Sequence, residues 1–298
     1  MTDGAHRIVV FGDVIDDIIA TPSGAIRDDT DTPSSIERRA GGSAANMATW
    51  LARAGGDVDF VGRVGVMDLE RHSRILRDAG VRPMLAADHI LPTGTIVIIV
   101  DGERRTMLTE RGANAALEPD AVSDQVLDGA SVVHFTGYSL FHRDDVSGFQ
   151  RLIRRASARG VRVSVDAGSA GFLADFGPER FLQCVAGAAI LFPNLDEGRV
   201  LTGLDDPMDV VASLATRFPT VALTLGTGGI LVAAATEPVP VFVEARATST
   251  VDPTGAGDAF CAGFLHEWIG SGDLRAAAIA GADLAAEAVT VVGGRPAL

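Results

Sequence analysis

Short apolar runs alternate with longer amphipathic segments along most of the chain. An apolar run of about 4–8 residues, flanked by glycine or polar residues, is typical of a strand buried in a parallel sheet. Mostly apolar segments of this length, some interrupted by glycine or single polar residues, occupy residues 8–11, 58–65, 131–135, 161–165, 188–192 and 220–225. Segments with the pattern of helices occupy residues 41–54, 69–79, 144–159, 207–218 and 274–289. This alternation predicts one α/β domain over residues 1–298, with a doubly wound, mostly parallel sheet flanked by helices.

Other segments predict a smaller β element outside this sheet. Residues 95–101 and 104–109 are predicted to be two antiparallel strands, and the Asp-Gly dipeptide between them favours a β-hairpin. Residues 21–35 are rich in proline, glycine and aspartate and are too polar for a core. We therefore predict a small β-sheet lid formed by the segments near 14–40 and 94–111.

Polar residues and glycines directly follow several predicted strands. They are Asp13, Asp166, Asn194, Gly226 and the segment that leads to Asp258. The carboxyl ends of parallel strands meet at one edge of a doubly wound sheet, and ligands bind beyond that edge. The sequence therefore predicts that these residues share one site.

Residues 251–260 carry the strongest chemical signal. Pro253 disfavours a helix at the residue before it, and Gly255 and Gly257 allow a sharp turn into an apolar helix. The free N–H groups and the positive dipole end of that helix form an anion site. Asp258 lies in the first turn of this helix. Because a carboxylate repels a phosphate, it is not suited to bind one, and its position beside the anion site predicts a general base. The alternative role of Asp258 is to stabilise the helix N-terminus.

Composition narrows the classes of function. The formal net charge of −14 and a pI of about 4.8 argue against nucleic acid or an anionic membrane as partner. All 25 basic residues are arginine, and without lysine a Walker A loop and Schiff-base chemistry are excluded. The N-terminus is polar and no apolar run reaches about 18 residues, so we predict a cytoplasmic protein without a signal peptide or membrane span. Cys184 and Cys261 are expected to be reduced core residues.

Three stretches, taken together and in this order, resemble the ribokinase family of carbohydrate and nucleoside kinases, also called the PfkB family. Residues 41–46, Gly-Gly-Ser-Ala-Ala-Asn, resemble its N-terminal di-glycine signature. Residues 194–197, Asn-Leu-Asp-Glu, match its Asn-x-x-Glu motif, and residues 252–260 are similar to nearly all of its C-terminal signature. The resemblance spans essentially the full chain. It implies a ribokinase-like fold and ATP-dependent transfer of the γ-phosphoryl group to a sugar hydroxyl.

The resemblance also implies roles for individual residues in catalysis and substrate binding. Asp258 is the expected general base, and the helix N-terminus from Gly255 through Ala256 and Gly257 to Asp258 is the expected anion hole. The residues expected to bind the substrate are Asp13, Asp17, Gly41, Gly42 and Asn46. Asp17 matches the position of a carboxylate that binds a substrate hydroxyl in this family, and Asp13 is the competing candidate.

For the cofactors, the resemblance implies ATP and Mg²⁺. The residues expected to bind them are Asn194, Glu197, Thr224, Gly226 and Gly228. Glu197 is expected to reach Mg²⁺ through water, because this ion gives up its hydration shell reluctantly. Asp252, with carbonyl groups in residues 291–294, resembles the monovalent-cation site of the family, which makes K⁺ a candidate activator. The small-molecule sugar is the expected partner, and a homodimer is implied because lid sheets in this family often pair between subunits.

The acceptor stays open. Ser43 stands where ribose-specific members carry lysine, and residues 134–138 lack the carboxylate that those members use at the substrate. Tyr138 is either a stacking surface for the acceptor or a packed strand-end residue. Three arginines near the lid either meet an acidic or phosphorylated acceptor or lie on a solvated hairpin: Arg104, Arg105 and Arg111. The alternatives to a sugar kinase are a nucleoside kinase, whose acceptor pocket would need aromatic side chains, and a catalytically silent sugar-binding regulator.

Overall fold

The strands of the chain form two separate sheets. The computed structural model describes residues 6–101, 104–141, 143–235 and 239–297. In chain order the strands are β1 (Arg7–Phe11), β2 (Ile15–Pro22), β3 (Ser34–Gly41), β4 (Val58–Gly65), β5 (Arg82–Asp88), β6 (Gly94–Asp101), β7 (Arg104–Glu110), β8 (Ala130–Thr136), β9 (Arg162–Asp166), β10 (Ile190–Phe192), β11 (Thr220–Thr224), β12 (Ile230–Ala234) and β13 (Val241–Val243). The predicted turn at residues 102 and 103 and the side chain of Arg104 lie outside the described residues.

The α-helices lie mostly between the strands of the larger sheet. They are α1 (Ser43–Arg53), α2 (Leu69–Asp78), α3 (Asp124–Leu127), α4 (Ser147–Ser157), α5 (Ala170–Phe176), α6 (Pro178–Cys184), α7 (Leu195–Thr202), α8 (Pro207–Ala215), α9 (Ala256–Ser271) and α10 (Leu274–Ala288). Within the described ranges, none of the helices has the length and apolar character needed to span a bilayer.

The larger sheet has the strand order β13-β12-β11-β10-β9-β8-β1-β4-β5. The strands from β11 to β5 in this order are parallel, and β12 and β13 extend the sheet in antiparallel pairs. Successive residues of β1 point to opposite faces, so Val9 and Phe11 join a core with α4 and α8, and Ile8 and Val10 join a core with α1, α9 and α10. Helices therefore cover both faces, as predicted for a doubly wound sheet.

Strand β5 and several short helices were not predicted from the sequence, and the lid segment near 14–40 was predicted without the bounds of its strands. Strand β5 lies at the edge of the larger sheet, and its residues alternate between exposed and half-buried positions, so no apolar run marks it. Strands β2 and β3 contain charged residues, and much of β3 is exposed, so no apolar pattern indicates where these strands begin and end. Helices α5 and α6 are separated by Gly177 alone and are too short for a periodic signal.

The smaller sheet has the order β3-β2-β6-β7 and draws on the two segments expected to form the lid. A buried ion pair attaches it to the body of the protein. Asp16 of β2 is 1% exposed and accepts hydrogen bonds from Arg71 of α2 at 2.6 and 2.9 Å and from Arg38 of β3 at 2.7 Å. Burial raises the pKa of Asp16, but the hydrogen bonds from His72 and the two arginines outweigh it and hold the pKa well below its usual range. The ion pairs of Asp16 thus hold the β2–β3 side of the smaller sheet against α2.

Candidate active site

A cavity of about 760 Å³ lies between the carboxyl edge of the larger sheet and the inner face of the smaller sheet. The residues predicted to act in catalysis or binding that line it are Asp13, Asp17, Gly42, Asn46, Asn194, Glu197, Thr224, Gly255, Gly257 and Asp258. From the smaller sheet, the cavity is lined by Ile15, Ile96, Ile98 and Met107, together with the polar Thr109. The parallel strands bring these sequence-distant residues to one edge.

The N-terminus of α9 presents free backbone donors beside the cavity. Gly255 has a left-handed conformation with φ of 82°, and a Cβ there would lie 2.5 Å from the carbonyl oxygen of Gly294. Among the described residues, the N–H groups of Gly257 and Asp258 have no acceptor, whereas that of Ala256 donates to a carbonyl of the preceding turn at 3.3 Å. An anion at this point would meet two unpaired donors and the positive end of the helix dipole.

Asp258 lies in the first turn of α9 and is 9% exposed. Ser43 Oγ donates to its Oδ1 at 2.6 Å, and Asn46 Nδ2 donates to its Oδ2 at 3.0 Å. Burial raises the pKa of Asp258 to about 8; the two hydrogen bonds oppose this shift, and the charges of Asp166 and Asp13 add to it. A carboxyl group with such a pKa can exchange a proton near neutral pH, which suits a general base.

The sequence motifs did not reveal how Asn46 is held. Asn46 was expected to contact the substrate, but its amide nitrogen donates to Asp258. On its other side, Arg295 Nε donates to Asn46 Oδ1 at 3.2 Å, and Arg295 Nη2 donates to the carbonyl of Gly41 at 2.6 Å. Arg295 follows α10 with no motif around it, so only the folded chain shows that it orients this amide.

The two acidic candidates for the acceptor side have different surroundings. Asp13 accepts hydrogen bonds from the first two N–H groups of α1, both at 3.0 Å, so its two oxygens cap that helix. Asp17 lies against the backbone of Gly41, where a Cβ would overlap its Oδ2, and accepts no hydrogen bond from the described residues. Burial raises the pKa of Asp17 to about 6, although the charge of Arg295 opposes this shift. Asp17 thus keeps the free lone pairs that a substrate hydroxyl requires.

Asn194 and Glu197 form a capping box at the start of α7. Asn194 Oδ1 accepts from the N–H of Glu197 at 2.9 Å, and Glu197 Oε2 accepts from the N–H of Asn194 at 2.8 Å. Glu197 is 4% exposed, and its burial raises its pKa. Asp166 at the end of β9 also lines the cavity, and burial together with the charge of Glu197 raises its pKa. A buried and a half-buried carboxyl group that line the same cavity as the anion site suit a cation that accompanies a phosphate.

Direct metal coordination is not preformed in this region. In residues 6–101, 104–141, 143–235 and 239–297, no group of three or more histidine, cysteine or acidic side chains could hold a metal ion. Contact between Glu197 and Mg²⁺ through water therefore stays a prediction.

The remaining predicted residues lie at or beyond the margin of the cavity. Thr224 ends β11 and lines the wall, but Gly226 and Gly228 lie in the exposed turn that follows it. Asp252 is buried four residues before α9 and contacts Arg105 of β7 rather than the cavity. Cys184 and Cys261 are buried free thiols, and Cys261 lines the cavity beside Asp166.

An aromatic cluster forms one wall of the cavity. The rings of Tyr138, Phe141 and Phe172 all line it, with Tyr138 packed edge-on against each of the other two at centroid distances of 6.0 Å. Arg111 donates through Nη2 to the carbonyl of Tyr138 at 2.6 Å and through Nη1 to the carbonyl of Phe141. Burial lowers the pKa of Arg111. Tyr138 is thus packed and lines the site as well, and Arg111 is part of the site rather than of a solvated hairpin.

Several known proteins are similar to this chain in sequence or in structure. The ATP-dependent ribose-1-phosphate kinase of Halopiger xanaduensis is 33% identical over 246 residues, which are 80% of this chain and 76% of that protein. The fructokinase of Klebsiella pneumoniae is 29% identical over 269 residues, 87% of this chain and 83% of that protein. The crystal structure of adenosine kinase from Sinorhizobium meliloti matches with a TM-score of 0.87 and 26% identity, and the match covers 99% of this chain and 97% of that one.

A family profile covers nearly all of the chain. The profile of the pfkB family carbohydrate kinases matches residues 5–298, a range that includes the di-glycine, Asn-x-x-Glu and C-terminal motifs. The predicted fold and the predicted enzyme class are confirmed by this match and by the similar kinases. The chain therefore belongs to the pfkB family of carbohydrate kinases and is an ATP-dependent phosphotransferase with a hydroxyl group as acceptor.

Proposed function

We propose that Asp258 is the general base for transfer of the ATP γ-phosphoryl group to a hydroxyl of a sugar or sugar derivative. One observation carries this proposal: a buried carboxylate with a raised pKa adjoins two unpaired N–H donors at the same end of the cavity. Phosphoryl transfer needs the two substrates to be positioned, a proton acceptor for the attacking hydroxyl, and hydrogen-bond donors that stabilise the charge on the transferred group. These elements occur together at Gly257 and Asp258.

The geometry supports the following course of the reaction. Asp17 accepts a hydrogen bond from one acceptor hydroxyl and so orients the molecule. Asp258, held by Ser43 and Asn46, accepts the proton of a second hydroxyl, whose oxygen attacks the γ-phosphorus. The bond from the γ-phosphorus to the bridging oxygen breaks, and ADP leaves with the electron pair. The free N–H groups at the start of α9 stabilise the charge on the transferred group.

The nucleotide lies at the Asn194 side of the cavity in this proposal. Asp166 and Glu197 would hold hydrated Mg²⁺, which balances the charge of the phosphates when it is bound. Thr224 would contact the nucleotide from the end of β11, and the exposed turn with Gly226 and Gly228 would border it.

The smaller sheet serves as a lid over the acceptor. Its inner face presents Ile15, Ile96, Ile98 and Met107 to the cavity. An apolar cover would exclude water, which otherwise competes with the acceptor for the phosphoryl group.

A nucleoside kinase is the second candidate, and one observation favours it. The acceptor pocket of such an enzyme needs aromatic side chains, and Tyr138, Phe141 and Phe172 supply them. An adenosine kinase is also among the proteins that are similar in structure. A base stacked on this wall and a sugar alone are therefore both to be tested as acceptors.

An ADP-release screen over pentoses, hexoses, sugar acids, sugar phosphates and nucleosides tests these proposals. We expect turnover with at least one acceptor, and Asp258→Asn should lower it by at least about 100-fold. Binding of ATP, measured by calorimetry, should be largely unchanged in this variant. Near-normal turnover of Asp258→Asn would contradict the assignment of the base. ATP binding without turnover on any acceptor would favour the regulator.

We also propose that the protein is a homodimer that pairs through the outer face of the lid. Alternation along the strands places six apolar residues on the face opposite the cavity, and we refer to Ile18, Ala20, Ile36, Val97, Ile99 and Leu108 as the outer lid face. Ile36 is 68% and Leu108 is 56% exposed. A contiguous apolar surface of this kind supports an interface between proteins.

A further inference from the structure

The buried carboxylate of Asp252 is already neutralised by a side chain of the lid. Asp252 is 5% exposed. Its Oδ1 accepts hydrogen bonds from Arg105 Nη1 at 2.6 Å and from the N–H of Thr254 at 2.9 Å, and its Oδ2 accepts from the N–H of Gly293 at 2.9 Å. Burial raises the pKa of Asp252, but these hydrogen bonds outweigh it and hold the pKa at about 2. The positive partner that a buried carboxylate needs is thus a guanidinium group.

Two of the four carbonyl groups expected near a monovalent ion, in residues 291–294, are also engaged by protein donors. The carbonyl of Val292 accepts a hydrogen bond from Arg39 Nη1, and that of Gly294 accepts from Trp50 Nε1 at 2.8 Å. Gly293 turns its N–H group towards Asp252. A K⁺ ion needs several free oxygen ligands in one place, so the residues as arranged do not fit the ion that the family resemblance implied.

The guanidinium joins the lid to the loop that begins the anion hole. Arg105 lies on β7, and its Nη1 also donates to Thr254 Oγ1 at 2.8 Å. Thr254 directly precedes Gly255, whose backbone packs on Gly294. Any change in the charge near Asp252 therefore acts on the turn that aims the free N–H groups of α9.

We propose that Arg105 is the built-in cation of this site and replaces a monovalent metal ion. It has the same unit charge as K⁺ and, unlike the ion, reaches the site from the lid. The kinase then turns over without K⁺ or Na⁺, and Arg105 positions the anion hole when the lid covers the acceptor. This inference rests on the proposed kinase function, but the stability measurements below test it independently of turnover.

The test compares wild type, Arg105→Ala and Arg105→Lys in K⁺, Na⁺ and tetramethylammonium salts at equal ionic strength. Wild type should release ADP at the same rate in all three salts. Arg105→Ala should be at least about tenfold slower in tetramethylammonium, because the buried carboxylate of Asp252 then lacks its charged partner, and K⁺ should restore part of the rate. Arg105→Lys should keep its independence of salt. Arg27→Ala, in the exposed loop between β2 and β3, is the matched lid control and should behave as wild type.

Thermal unfolding in the same salts gives a second readout. K⁺ should raise the unfolding midpoint of Arg105→Ala above its value in tetramethylammonium and leave that of wild type unchanged. A wild-type enzyme that needs K⁺, or an Arg105→Ala variant equal to wild type in both series, would overturn the inference. If no acceptor is turned over even by wild type, the kinase proposal fails, whereas the midpoints still decide the role of Arg105.

Discussion

At the scale of the residue, the proton on Asp258 couples catalysis to stability. Its pKa of about 8 means that the ligand-free protein carries Asp258 mainly protonated at neutral pH. A base must be ionised, so kcat/KM should rise with pH and level off above about pH 8, with roughly tenfold loss per pH unit below it. Ser43→Ala removes a hydrogen bond to the ionised form and should move this limb to higher pH. A profile that is flat from about pH 6 to about pH 9 would contradict the proposed role.

The raised pKa of Asp258 should make the stability of the folded protein fall with rising pH, whereas it makes activity rise. The pKa is raised from 3.8 to about 8 in the folded protein, so between these values the folded state binds the extra proton and the unfolded state does not. Stability contributed by the protonated group is therefore present at low pH and is lost as pH rises towards 8. Asp258→Asn keeps the shape and removes the charge, so its gain in unfolding midpoint over wild type should grow from pH 5 to pH 8, which thermal unfolding would measure.

At the scale of the element, the first turn of α9 offers a matched pair of glycines. Gly255 has φ of 82° and packs on the backbone of Gly294, whereas a Cβ on Gly257 would meet nothing within 4 Å. Gly255→Ala should therefore lower the free energy of unfolding by about 1–3 kcal/mol, measured by chemical denaturation. Gly257→Ala should keep or slightly raise it, because alanine favours the helix.

The activity of the Gly257→Ala variant then tests the anion hole. Its methyl group would occupy the space that the transferred phosphoryl group needs beside the free N–H groups. We expect this variant to release ADP more slowly than wild type, with no loss in its free energy of unfolding. Full turnover together with normal ATP binding would show that the phosphoryl group does not approach α9 at this point.

At the scale of the whole molecule, the smaller sheet has two faces with different tasks. Its inner face lines the cavity, and the outer lid face exposes apolar side chains. We expect a dimer in light scattering coupled to size exclusion, and Leu108→Glu should give the mass of a monomer because a buried charge is costly at an interface. Met208→Glu, a similarly exposed position on α8, is the control and should remain dimeric. A monomeric wild type would rule out the proposed pairing.

The amino-acid sequence by itself determined the architecture of the larger sheet and the main chemistry of this protein. Apolar runs mark its parallel strands because each is buried on both faces, so that almost every residue carries the signal. Asp258 and the glycines before it were recognisable because an anion site built from a helix N-terminus needs these residue types at fixed spacing. Strand β5 was not predicted because an edge strand is only half buried, so its sequence of apolar and polar residues resembles that of a loop.

Only the tertiary structure decided what each polar residue contacts. It assigned the oxygens of Asp13 to the cap of α1, left those of Asp17 free, and placed Arg105 against Asp252 across 147 positions of sequence. The packing of segments that are distant in sequence determines these contacts. The local pattern of residues around each side chain therefore does not indicate its partner. The sequence determines which chemical groups are available, and the fold determines which of them remain unpaired and can therefore bind or react.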